Sequence, residues 1–429
     1  MTTSVRRRTA WAAGLAATAA ALLGAVAPQA QAQAQAQARA QDQAAPSGRS
    51  HPYTDTYAPG APAGTSSGTA SGTRPAAPAV TVPPGVTAGV AVFDRQTGTF
   101  TEQLNADAQF RSASVVKLLI ALDNMWTGGV PADHTRLDAM LRSSDDDVAS
   151  DLWVRDGGSA IVTRMVTRLG LTDTAPPPAA YPGTWGYTAL SAADTVKIYR
   201  YVLESAPAPV RDLVTGDLRQ STRCGADGFD QRFGIPTVFA QPWAVKQGWS
   251  GFGASGDCAN TTAAASRTTA AASRPQAAPT APHGTAAPAS VDIDQVALHT
   301  TGTVGAGDRT IVAVFTLQPH GTSFGAAYTS LDRLVRTLNV PGGAVRPGSW
   351  FGTWGSGVHV RAGTTTGSAV LTSLPSGVET LVSCQKQGDT VSAPPYTNDW
   401  WAYLPQYGGY MTNIYLNSPD NKLPGVPDC

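Results

Sequence analysis

Lysine is scarce in this chain. Only Lys117, Lys197, Lys246, Lys386 and Lys422 occur among thirty basic residues, the other twenty-five being arginine. Arginine stays protonated in proteins, so any task that needs an amine able to lose its proton falls to one of those five. Cysteine is limited to Cys224, Cys258, Cys384 and Cys429, with no Cys-x-x-Cys and no neighbouring histidine pair. That spacing excludes the common structural zinc sites, and no metal or organic cofactor is expected. Neither sign of charge is in excess, with thirty basic and thirty acidic residues. Composition therefore offers no case for nucleic acid or an acidic polymer as partner. The one long apolar run, near the N-terminus, is too short and too rich in small residues for a stable membrane anchor. No cysteine follows it, so no lipid anchor is expected there.

What is present divides the chain into four parts. Residues 1–32 have the make-up of an export signal: Arg6-Arg7-Arg8, an apolar core from Trp11 to Val26, and Ala30-Gln31-Ala32 as cleavage site. Residues 33–85 alternate Gln-Ala and then run through Ser, Gly, Thr and Pro, a spacer that cannot bury a core. Residues 86–345 and 346–429 read as two folded domains, the first interrupted by a low-complexity insertion at 259–290. The expected location is secreted, or held at the cell wall. Four cysteines in an exported chain imply two disulfides. Cys224 and Cys258, which flank the Lys246 strand, are expected to pair, and Cys384 with Cys429.

The first domain is organised around Phe110 to Trp126, a run apolar on nearly every side and so expected to be a central helix. Its first turn carries Ser114 and, three residues on, Lys117. Residues i and i+3 share a helical face. A partly desolvated amine there has a depressed pKa and can take the proton of the hydroxyl. Alone, the spacing equally fits a helix start capped by Ser112 or Ser114, with a lysine reaching solvent.

Two further segments tip the balance. Ser144-Asp145-Asp146 lies between apolar helical segments, and Lys246-Gln247-Gly248 follows a strand-like run from Phe239 to Val245. Ser-x-x-Lys, Ser-Asp-Asn and Lys-Thr-Gly in this order mark class A β-lactamases and penicillin-binding proteins. Over about residues 87–340 the chain resembles that superfamily, most closely its small actinobacterial β-lactamase-like serine hydrolases. The resemblance implies an α+β fold of antiparallel sheet plus helical lobe. It implies Ser114 as nucleophile, Lys117 as base, Ser144 as proton relay and Lys246 as positive charge toward a substrate carboxylate. Asp146, Gln247, Gly248 and Trp249 fall at substrate-binding positions, with the Trp249 and Ser114 N–H groups as oxyanion hole. The chain departs from the pattern at Asp146, where the family has Asn, and at Gln247, where it has Thr. Between Gly170 and Thr188, where class A enzymes carry a deacylating glutamate, Asp173 is the only carboxylate. Efficient β-lactam turnover is therefore not expected.

Strands are expected at 87–93 and 99–110, and as a hairpin at 296–302 and 310–317. Helices are expected at 135–142, from Val148, at 159–169 with Ser159 as cap and Gly170 as stop, after the Ser191/Asp194 capping box, and at 322–338 with Leu331, Leu334 and Leu338 inward. From Gly348 onward short strands alternate with turns. Val358-His-Val-Arg-Ala-Gly363 and Gly409-Tyr-Met-Thr-Asn-Ile-Tyr-Leu416 resemble the opening and closing motifs of a bacterial SH3-like barrel. Such domains commonly bind cell-wall peptide. Trp350, Trp354, Trp400 and Trp401 serve equally as a binding face or as core.

The reading is a secreted acyl-serine hydrolase. It acts on a β-lactam or a D-alanyl cell-wall peptide amide through a covalent Ser114 acyl-enzyme, so the partners are peptidoglycan or a β-lactam. The alternative is a catalytically weak or inactive homologue that serves as a cell-wall-binding protein. A Ser-His-Asp site at Ser250, with His299 or His320 as base, ranks lower because Phe252 interrupts the G-x-S-x-G elbow.

Overall fold

The computed structural model describes residues 80–252, 258 and 291–429. The expected export signal, most of the spacer and the insertion at 259–290 lie outside the described residues.

The chain opens with a hairpin of β1 (Thr87–Asp94) and β2 (Thr99–Leu104), then makes a short β3 (Phe110–Arg111). A helical lobe follows: α1 (Lys117–Met125), α2 (Thr135–Arg142), α3 (Asp146–Arg155) and α4 (Ser159–Leu169). The two-residue β4 (Ala189–Leu190), paired with β3, leads to α5 (Ala192–Glu204), α6 (Ala208–Arg219) and the one-turn α7 (Ile235–Val238). The chain returns to the sheet as β5 (Trp243–Ser250), β6 (Val296–Val304) and β7 (Thr310–Gln318), and α8 (Phe324–Arg336) closes the region. The sheet is antiparallel throughout, in the order β2-β1-β7-β6-β5.

Every residue of β6 and β7 is buried, so the sheet is covered on both faces. Strand alternation sorts the side chains between two cores. Ile311, Ala313, Phe315 and Leu317 join the core shared with the helical lobe, while Val312 and Val314 join the one under α8. α1 runs through the middle of the first core, with Leu118, Leu119, Ile120, Ala121 and Leu122 all buried, as its all-round apolar sequence requires.

Several expectations are corrected. Residues 110–126 are not one helix. Ser112 is held by its N–H to the Thr188 carbonyl (2.8 Å), Ala113 takes a left-handed φ of 45°, and a 3-10 turn at Ala113–Val116 precedes α1. The returning strand stops at Leu104, because Asn105 adopts φ 43° and its amide donates to the Ala88 carbonyl (3.0 Å). Residues 239–245 are not a continuous strand: Pro242 lacks the N–H a ladder needs, and β5 begins at Trp243. Ser159 is the first residue of α4, not its cap, which is Gly158. Gly170 does end that helix in the left-handed conformation, and the Ser191 hydroxyl does accept from the Asp194 N–H (3.0 Å).

The C-terminal residues form β8 (Ser349–Gly352), β9 (Val358–Arg361), β10 (Val370–Leu374), β11 (Glu379–Val382), β12 (Cys384–Ala393), β13 (Tyr396–Leu404) and β14 (Gly409–Thr412). They build a five-stranded antiparallel sheet, β10-β9-β14-β13-β12, and a β11-β8 ribbon. Their small core gathers Val358, Val360, Leu374, Ala402, Leu404 and Met411. Trp401 is 1% exposed, whereas Trp350, Trp354 and Trp400 are half-buried. Both expected disulfides form, Cys224–Cys258 and Cys384–Cys429.

Candidate active site

Four separated segments place polar side chains in one buried cluster. The 3-10 turn carries Ser114, the first residue of α1 is Lys117, the connection from α2 to α3 carries Ser144, and β5 carries Lys246. All four are buried: Ser114 is 5% exposed, Lys117 0%, Ser144 3% and Lys246 1%. Burying two amines together costs far more than exposing them, unless hydrogen bonds and counter-charge compensate.

The compensation is visible. The Lys117 Nζ lies 3.0 Å from the Ser114 Oγ, 3.1 Å from the Ser144 Oγ and 2.7 Å from the Ser144 carbonyl. It also ion-pairs with the Asp146 carboxylate and sits 4.7 Å from the centroid of the Trp185 ring. The Lys246 Nζ donates to the Ser144 Oγ at 2.9 Å. Ser144 itself has a left-handed φ of 55°, a conformation that persists only where the surroundings hold it.

A charged Lys117 has three N–H groups for four oxygen neighbours. A neutral Lys117 gives two N–H groups to Asp146 and the Ser144 carbonyl and keeps a lone pair for the Ser114 proton. Burial pushes the Lys117 pKa down from its usual 10.5, and the Asp146 carboxylate partly restores it. Burial pushes the Lys246 pKa well below 10.5, and the neighbouring Lys117 charge depresses it further.

Gly248 explains how β5 reaches the turn that carries Ser114. A Cβ there would lie 3.1 Å from the Ser112 carbonyl oxygen and from the Val115 methyl, and 3.2 Å from the His299 ring. Only glycine admits that approach without displacing a neighbour. Gln247, expected to bind substrate, points elsewhere. Its buried amide donates to the carbonyls of Gln231 (3.1 Å) and Phe233 (2.6 Å), so both of its N–H groups are engaged. The Trp249 ring stacks on Phe229 (4.7 Å between centroids), and its indole N–H donates to Asp227 (3.0 Å). Asp146, expected at a substrate position, is engaged with Lys117 while remaining exposed to solvent.

His299 is not a base for Ser250. Its Nδ1 accepts from the Thr316 N–H (3.1 Å), and its Nε2 faces the Arg111 carbonyl (2.9 Å), which fixes the neutral tautomer with the proton on Nε2. Burial lowers its pKa to about 3. His320 lies exposed just past β7. Asp173 receives a bond from the Thr172 hydroxyl (2.8 Å), while its backbone N–H donates to Asp194 (2.7 Å). A surface cleft of about 500 Å³ on the helical lobe, lined by Asp123, Arg155, Arg164 and Arg168 among others, includes none of the four cluster residues. Its arginines are paired with Asp123 and Asp156.

Sequence reasoning missed Trp185 and Asp227. Both sit in Gly-containing connections whose composition signals a turn, and nothing in that composition marks a ring over the Lys117 amine or a carboxylate that holds the Trp249 indole.

No family model matches the chain. It is 44% identical over 175 residues to LppW of Mycobacterium tuberculosis, and equally to LppW of Mycobacterium bovis, both described as candidate lipoproteins. That match covers 38% of this chain and 54% of the relative, so the chain spans about half the length of the curated relatives it matches. Among solved structures it is similar to a class A β-lactamase from Mycobacterium abscessus, at 17% identity and a TM-score of 0.39, over 59% of this chain and 92% of that one. It is also similar to PBP-A, at 14% identity and a TM-score of 0.40, over 60% and 90% of the two chains.

Proposed function

We propose that the protein is an acyl-serine hydrolase of the β-lactamase and penicillin-binding-protein type. The supporting observation is the convergence of Ser114, Lys117, Ser144 and Lys246 in one hydrogen-bonded cluster. Ser114 attacks an amide carbonyl carbon, and its proton passes to the neutral Lys117 amine as the C–O bond forms. Backbone N–H groups of Ser114 and Trp249 steady the oxyanion. As the C–N bond breaks, the Ser144 hydroxyl gives its proton to the leaving nitrogen and is reprotonated from Lys117. Lys246 offers positive charge to a substrate carboxylate. A D-alanyl peptide or a β-lactam has the required amide and carboxylate. With no glutamate in the 170–188 loop, water attacks the ester slowly and the acyl-enzyme persists.

A second reading has its own support. Asp146 pairs with Lys117 and favours the ammonium form, which suits a weak or inactive hydrolase that serves as a wall-binding protein, with the C-terminal sheets as a small barrel for peptide. Either role belongs outside the cytoplasm. The N-terminal export pattern, the two disulfides and the lipoprotein description of the LppW relatives support that placement.

Labelling with a fluorescent penicillin separates the readings. The hydrolase is expected to take one label per chain, lost in Ser114→Ala, and to release it slowly. Absence of label, with peptidoglycan pull-down intact, would favour the binding protein.

A further inference from the structure

The connection between α6 and α7, residues 221–231, touches both flanks of the Ser144–Lys246 pair. On one side, the Thr222 N–H donates to the Arg142 carbonyl (3.0 Å) and the Ala226 N–H to the Ser143 carbonyl (2.7 Å). These bonds brace the peptide just before Ser144, whose left-handed φ needs external support. On the other side, the Gln231 carbonyl accepts from the amide of Gln247, next to Lys246, and Asp227 and Phe229 hold the Trp249 ring.

The connection is stiffened from within. Gly225 donates to the Phe229 carbonyl (2.8 Å), Gln231 to the Arg223 carbonyl (2.7 Å), and Cys224 is tied to Cys258. Its outer anchors lie in the C-terminal region. The Arg223 guanidinium donates to the Leu371 carbonyl in β10 (2.6 Å) and to the Tyr407 carbonyl (2.7 Å), with the Tyr407 ring 5.8 Å away. The buried Asp230 carboxylate accepts from the Thr372 hydroxyl (3.2 Å). A planar guanidinium that bridges two carbonyls fixes the direction as well as the distance of its support.

We propose that Arg223 is a positioning residue for Ser144 and Lys246, and that through it the C-terminal region is a structural part of the acyl-transfer site and not only a binding module. The catalytic half of this claim rests on the hydrolase reading above; the positioning half rests on the bonds alone.

The test uses the full chain. Arg223→Ala and the milder Thr372→Val are compared with Glu379→Ala, which cuts the Arg333 and Arg336 ion pairs between α8 and β11 of the same interface. Amide hydrogen exchange at residues 222–231 and 143–147 reports positioning, and the pH profile of penicillin acylation reports its effect on the site. Arg223→Ala is expected to raise exchange in both segments at least tenfold, slow acylation at least tenfold and move its pH midpoint. Thr372→Val should give a smaller change in the same direction, and Glu379→Ala should give none. Unchanged exchange at 143–147 in both Arg223→Ala and Thr372→Val would overturn the proposal. So would a loss of acylation that Glu379→Ala reproduces, or a slowing without movement of the pH midpoint. If the parent chain takes no label, the hydrolase reading fails, and the exchange result alone decides whether Arg223 holds the Ser144 segment.

Discussion

Lys117 and Lys246 point their amines at the same hydroxyl oxygen, that of Ser144, from 3.1 and 2.9 Å. Two ammonium groups that close in a buried setting repel, so the fold holds at least one of them below its ordinary pKa. A chemistry that needs a neutral amine at physiological pH draws on that repulsion.

The first consequence concerns stability. The folded-state pKa of Lys246 lies well below the 10.5 of the unfolded chain. Below the folded value both states are protonated, and the fold carries the full penalty of the buried charge. As pH rises from there toward 10.5, the folded state releases its proton before the unfolded state does, and stability increases. Lys246→Met removes the penalty. Denaturant titrations should show it more stable than the parent by about 1–3 kcal/mol at neutral pH, with a flatter pH dependence. A destabilised variant would show that the hydrogen bond to Ser144 outweighs the charge burial.

Asp146 opposes the depression of the Lys117 pKa. Asp146→Asn removes that opposition, so Lys117 becomes neutral at lower pH. The acid limb of the acylation profile should move to lower pH. An unmoved limb would mean that Lys117 is not the group whose deprotonation limits the rate.

Gly248→Ala places a methyl 3.1 Å from the Ser112 carbonyl and should shift β5 against the turn that carries Ser114. The neighbours of that methyl must give by a few tenths of an ångström, and misalignment of reacting groups lowers the rate. Acylation is expected to fall by up to about 10-fold, with a melting temperature close to the parent value. Undiminished acylation would show that the turn and the strand move independently.

The Cys384–Cys429 bond closes a segment of 45 residues around a small core. The Cys384→Ser and Cys429→Ser double variant should lose about 2–4 kcal/mol, read from denaturant unfolding. Acylation should persist under conditions where the C-terminal sheets stay folded.

The cluster was legible where chemistry is tied to local spacing. Scarce lysines drew attention to Lys117 and Lys246, and the i to i+3 offset joined Lys117 to Ser114. The β6–β7 hairpin and the Gly170 stop follow from alternation and left-handed turn chemistry, which a short window of sequence contains. The rest depends on contacts between distant segments. Gln247 is turned away by two carbonyls sixteen and fourteen residues earlier. Trp185 reaches Lys117 from a loop whose composition signals only a turn. Arg223 finds its partners 148 and 184 residues downstream. The break of the expected 110–126 helix at Ala113 accompanies the bond from Ser112 to Thr188, invisible to periodicity.

The central claim is a covalent one, so intact-protein mass spectrometry tests it most directly. Incubated with penicillin G, the chain should gain the mass of one penicillin molecule, mapped by peptide analysis to Ser114, and Ser114→Ala and Lys117→Ala should gain nothing. An unmodified parent chain, or an adduct at Ser250 or any other hydroxyl, would contradict it.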